Sequence, residues 1–221
     1  MPPARRVRRS PGPTIPARRP VVFVQGLWLL SGSWQAWRDL FEDNGYTTIA
    51  PGWPDDPATV EQGRQDPDVF AHKMVQQVTD RYLAAIAALD RKPAVIGHSF
   101  DGLITLKVAG DGVSAASVAI DNAPFKGVLP LPISSLKSAA PAYHVPAAGA
   151  PLFQAAVANL NLFGGETRVR ADIPDRGPVL VIAGGADNTV PAAITHATHR
   201  ILARHSSAVT ELVDVPGRGS P

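Results

Sequence analysis

The sequence contains no cysteine, so neither a disulfide framework nor a thiolate metal site is open to it. No apolar run approaches the roughly 18 residues that a membrane-spanning helix needs. Acids are missing from residues 1–20, which hold six of the 21 basic residues (Arg5, Arg6, Arg8, Arg9, Arg18 and Arg19) and six of the prolines. The remaining fifteen bases stand against 19 acids, so the alkaline balance belongs to this tail and the body is mildly acidic. A Pro/Arg tail cannot bury enough apolar surface to fold and reads as disordered and solvated. A nucleic-acid or anionic-lipid contact is a rival reading of it. Another is the charged part of an export signal, with residues 21–30 as its apolar segment. Gln25 and Gly26 interrupt that segment, which serves better as a strand and loop. The expectation is a soluble, cytoplasmic protein with no nucleic-acid or membrane partner, of unspecified oligomeric state.

What is present suits one large domain: 221 residues, 45% of them hydrophobic, can bury a core. Residues 21–24, 47–50, 94–96, 116–120, 179–183 and 210–215 are strand-like. Most are continuous apolar runs of the kind buried on both faces of a parallel sheet. Between them lies helical spacing. Ser33 opens a helix through Trp34, Trp37, Leu40 and Phe41 that closes at Asn44-Gly45. Asp66-Pro67 starts a longer one whose face is Phe70, Met74, Val78, Tyr82, Ile86 and Leu89. Residues 51–65, rich in Pro, Asp and Gly, read as a long surface loop. The alternation predicts an α/β fold with a mainly parallel sheet of about six strands, its functional loops at the strands' carboxyl ends. The expected divisions are the tail at 1–20, a core at 21–124 and 179–221, and a short cap-like insertion at 125–178. That insertion is rich in Pro, Ala and Gly, with a helical piece at 153–160.

The chemistry centres on residues 93–107, Pro-Ala-Val-Ile-Gly-His-Ser-Phe-Asp-Gly-Leu-Ile-Thr-Leu-Lys. A strand, a sharp turn and a helix with Ser99 at the apex form the layout of a nucleophile elbow. The plain alternative is an ordinary turn in which Ser99 caps the helix. Gly97 gives the turn room, whereas Asp101 stands where the pattern wants a small residue, with Gly102 one step late. A serine hydroxyl needs a base to take its proton, and the base needs a carboxylate to hold its tautomer. Asp187, in Gly184-Gly185-Ala186-Asp187-Asn188-Thr189-Val190-Pro191 after a buried strand, is the first candidate acid. Asp121, beside Asn122 and Pro124, is the alternative, with loop formation as its plain role. Gln25-Gly26-Leu27-Trp28, at the end of the first strand, is where a backbone N–H for an oxyanion hole would arise.

Residues 21–37, Gly-His-Ser-Phe at 97–100, the Gly184–Pro191 stretch and Pro-Gly-Arg-Gly at 216–219 resemble the alpha/beta-hydrolase superfamily, in its bacterial esterase and lipase-like members. The resemblance covers residues 20–219 and thins in the insertion. It implies Ser99 and Asp187 in a triad and the N–H groups of Leu27 and Phe100 in the oxyanion hole. Gln25 stands where many members carry histidine. In that family the catalytic histidine follows the last strand, and here no histidine follows His205, so a form truncated before that residue is expected. Of the histidines present, His98 is expected to pack or hydrogen-bond beneath Ser99. His196 and His199 lie on a helix, His205 and His72 are remote, and only His144 is placed to lean over the serine. Trp28 is a candidate for the substrate pocket, while the other tryptophans are expected in the core. No cofactor and no metal are expected, since His196-x-x-His199 lies on a helix and lacks a partner acid at a useful sequence position. The implied function is hydrolysis of a carboxylic ester or related acyl bond in a small apolar substrate, through an acyl-enzyme. The alternative is a catalytically impaired or inactive protein of the same fold, at most a small-ligand binder, because fold alone does not fix function.

Overall fold

Six runs pair into one sheet, all parallel, in the order β2-β1-β3-β4-β5-β6. They are β1 (Pro20–Val24), β2 (Thr47–Ile49), β3 (Ala94–His98), β4 (Ala116–Ile120), β5 (Val179–Gly184) and β6 (Thr210–Val215). The computed structural model describes residues 18–26, 29–70, 73–128, 165–187 and 190–219. Leu27, Trp28, His72, His144, most of the expected tail and the helical piece at 153–160 lie outside them. The order reverses between β1 and β3, which are in register from Val21 opposite Ala94 to Val24 opposite Gly97. The crevice outside the carboxyl ends at such a reversal is where ligands bind in open α/β sheets.

Among the described residues five helices flank the sheet: α1 (Gln35–Asp43), α2 (Val60–Gln65), α3 (Val75–Ala87), α4 (Phe100–Gly110) and α5 (Ala192–His205). One face carries the larger core. Val22, Val24, Val95, Ala119 and Val181 meet Val78 and Tyr82 of α3, Leu103 and Leu106 of α4, and Ile194 and Leu202 of α5. On the other face Val21, Phe23 and Ile96 meet Trp34, with Phe41 of α1 packed beside them. All of Val21–Val24 is buried, as the apolar run predicts. In β4 and β5 burial alternates instead, and Val118, Ile120, Leu180 and Ile182 stay only half-buried.

Three local expectations need correction. Trp37, expected in the core, is 44% exposed, while Trp34 and Trp53 are buried. The helix expected from Asp66-Pro67 onward is broken: a 3-10 turn covers Pro67–Phe70, and α3 begins only at Val75. Met74 is extended (φ −97°, ψ 152°), and its N–H donates to the Gln77 side chain at 2.8 Å, capping the new helix. Residues 51–65 are not simply a surface loop either. They contain α2, whose cap Thr59 accepts the Gln62 N–H, and they bury Trp53.

Candidate active site

Ser99 joins β3 to α4 in a single step, at φ 59° and ψ −124°. A non-glycine residue reaches this region only when its surroundings impose it. Here the backbone is tied to β4 and its loop: the Ser99 N–H donates to Ile120 O at 2.9 Å, and Ser99 O accepts the Ala123 N–H at 2.9 Å. Two glycines allow the close approach. A methyl at Gly97 would lie 2.3 Å from Thr105 Oγ1 and 2.4 Å from Asp101 O, and one at Gly102 would lie 2.6 Å from Asn122 Cβ. The glycine at 102 is therefore required by the β4 loop, while the Asp101 side chain is directed elsewhere and is completely buried. Phe100 begins α4 and is buried against Trp53, ring centroids 5.9 Å apart.

Acids from the next two strands converge near this turn. Asp121 follows β4 at φ 42°, and its Oδ1 accepts the Gly184 N–H at 2.6 Å. Asp187, three residues past β5, accepts the Val190 N–H at 2.7 Å. Both are buried, and the donor atoms of His98, Asp121 and Asp187 all lie within 4.8 Å of one another. The set thus offers an imidazole nitrogen and two carboxylate oxygens, the donors of a hydrogen-bonded acid–base cluster or of a divalent cation. Burial pushes the His98 imidazole below its usual value, and the charges of Asp121 and Asp187 pull it back up. Burial raises the Asp121 carboxyl; the Gly184 N–H opposes this, and the charge of Asp187 adds to it. The Pro-Gly-Arg-Gly turn after β6 lies against the same loop, with the Ala186 N–H donating to Arg218 O at 2.8 Å.

The sequence-predicted residues thus separate into groups. Ser99, Phe100, Asp121 and Asp187 stand together at the carboxyl ends of β3, β4 and β5. Leu27 and Trp28 lie outside the described residues, but the root of their loop is held by aromatic side chains. The indole N–H groups of Trp34 and Trp53 donate to Val24 O and Gln25 O, and the Gln25 N–H donates to Tyr82 Oη at 3.0 Å. An open cleft of about 590 Å³ adjoins it, lined in part by Gln25, Leu30, Trp53 and Arg81. His196 and His199 turn to β6, bonding Asp214 at 2.6 Å and Thr210 O at 3.3 Å. Sequence reasoning missed that His98 shares its site with both acids. The available signal was an acid just past each of two strands neighbouring the one that ends in His98.

Comparison with protein-family models and with curated protein sequences returns no match. Solved structures do match. The monoacylglycerol lipase of Paleococcus ferrophilus is 18% identical, with 91% of this chain and 86% of that one covered and a TM-score of 0.63. Est1E of Butyrivibrio proteoclasticus, solved with ferulic acid bound, is 17% identical, covering 92% and 82%, with a TM-score of 0.62. The alpha/beta hydrolase GrgF of a Penicillium species is 15% identical, covering 92% and 83%, with a TM-score of 0.60. At such identities the likeness is one of architecture, and together with the all-parallel six-stranded order it gives one conclusion: this chain has the alpha/beta-hydrolase fold.

Proposed function

We propose that the chain is a serine hydrolase acting on a carboxylic ester or related acyl bond, with Ser99 as nucleophile and Asp187 as the acid of its charge network. The observation that carries this is the Ser99 backbone, held at φ 59° between two glycines that nothing larger could replace without displacing its surroundings. Such a turn lifts the hydroxyl to the head of a helix, where N–H groups can meet an anion. Ser99 Oγ attacks the carbonyl carbon as its proton passes to a base. The N–H groups of Phe100 and Leu27 receive the oxyanion, the alcohol leaves with a proton, and water then cleaves the acyl-enzyme. Asp121 is the alternative acid. The lipase and the ferulic-acid-bound protein among the structural neighbours support a small, largely apolar ester as substrate.

A second reading keeps the fold without the catalysis. It is favoured by the Ser99 hydroxyl, which makes no side-chain hydrogen bond among the described residues. Losing one triad member costs several orders of magnitude.

Intact mass after exposure to a fluorophosphonate decides between them. In that reaction a bond forms between Ser99 Oγ and phosphorus, fluoride leaves and the hydroxyl proton is released. Single-site labelling abolished in Ser99→Ala and slowed in Asp187→Asn is expected. Loss of labelling in His98→Ala would identify the imidazole beside the acids as the base. A folded chain that does not label supports the second reading.

A further inference from the structure

Position 101 holds a carboxylate where the turn calls for a small residue, and the structure shows where it goes. Asp101 is completely buried in the first turn of α4. A methyl added at Gly26 would lie 3.4 Å from its Oδ2, so the carboxylate rests against the loop after β1. Tyr82 touches the root of the same loop by accepting the Gln25 N–H. Burial raises the Tyr82 phenol well above its usual value, and the charge of Asp101 raises it further. The two groups therefore interact through a poorly screened interior.

The loop after β1 and the head of α4 are the two sources of oxyanion donors in the reading given above, on which this inference rests. A carboxylate adjoining both opposes negative charge developing over Ser99. It also takes up part of the positive field that a helix N-terminus offers to an anion. We infer that Asp101 holds the Ser99 centre back: its carboxylate faces the oxyanion-binding region and slows attack by Ser99 on acyl and phosphonyl centres. The site is thus an attenuated one, and a neutral residue at 101 releases it. Asparagine retains the size and an acceptor for the same neighbours while removing the charge, whereas glycine removes both.

The test compares fluorophosphonate labelling rates of the full chain, Asp101→Asn and Asp101→Gly, each checked for folding by circular dichroism and each repeated on a Ser99→Ala background. Both variants are expected to label faster than the unaltered chain, by roughly tenfold or more, and only at Ser99. Labelling of both variants with a silent unaltered chain would support the inference equally. If the unaltered chain labels and neither variant gains, the inference is overturned while Ser99 keeps its assigned role. A gain in Asp101→Gly alone also overturns it, because packing rather than charge would then be the cause. No labelling in any of the three overturns both statements.

Discussion

At residue 97 the absence of a side chain determines what residue 99 can do. The space that a Cβ would need is occupied by the backbone carbonyl of Asp101 and the hydroxyl of Thr105, both on α4. Neither is the free end of a flexible chain, so Gly97→Ala forces β3 and α4 apart at the step where Ser99 is held. The expected cost is roughly 3 kcal/mol, the upper part of the range for overpacking. For a chain of this size that lowers the melting temperature by roughly 6–12 °C. Scanning calorimetry measures it, and a Gly97→Ala protein that melts with the unaltered chain would show that the turn has slack. Ser99 reactivity should fall with it, because the strained φ depends on the same close approach. The glycine requirement at 97 was legible in the Gly-x-Ser pattern. The direction taken by the Asp101 side chain was not, since it depends on how near the loop after β1 comes.

Among the elements, the segment joining β2 to α3 shows how a few polar contacts override a local pattern. Asp56 binds the Gln25 side chain, the Trp53 N–H at 2.9 Å and Lys73 Nζ at 2.8 Å. Both members of the Asp56–Lys73 pair are nearly inaccessible to solvent. Holding Lys73 against this loop fits with the extended Met74 and the helix break before Val75, where hydrophobic spacing alone predicts continuity. Spacing reports which residues seek the core, and Val78, Tyr82 and Ile86 do reach it. It does not report a buried ion pair made across 17 residues of chain. Removing one member of such a pair leaves the other charge desolvated, so Asp56→Ala is expected to cost about 3–5 kcal/mol. Asp56→Leu combined with Lys73→Met should recover most of that loss, measured by thermal unfolding of the single and double variants. A double variant no more stable than Asp56→Ala would place the loss in the Gln25 and Trp53 contacts instead.

For the whole molecule, the strands and their parallel alternation were readable because short β-type runs bounded by turn residues and separated by helical spacing have few other uses. Burial on both faces, expected for most of the strands, holds for β1, whereas Val118, Ile120, Leu180 and Ile182 are only half-buried and Val213 is 43% exposed. The meeting of His98 with two acids was not readable, because it depends on the lateral order of β3, β4 and β5 rather than on sequence spacing. That meeting gives the global stability a pH dependence of mixed sign. Asp121 has a raised value in the fold, so its contribution is full below its unfolded value of 3.8 and is lost as pH rises through the folded value. His98 has a lowered one, so its contribution is present above 6.5 and is lost as pH falls toward the folded value. Asp121→Asn keeps an acceptor for the Gly184 N–H but cannot ionise. Its stability relative to the unaltered chain should therefore rise with pH across the window above 3.8 and level off once Asp121 is ionised in the folded state. His98→Gln should remove the loss seen on acidifying below 6.5. Urea midpoints from about pH 4 to pH 8 read both slopes, and an Asp121→Asn curve parallel to that of the unaltered chain would mean the carboxyl is not strained by its burial.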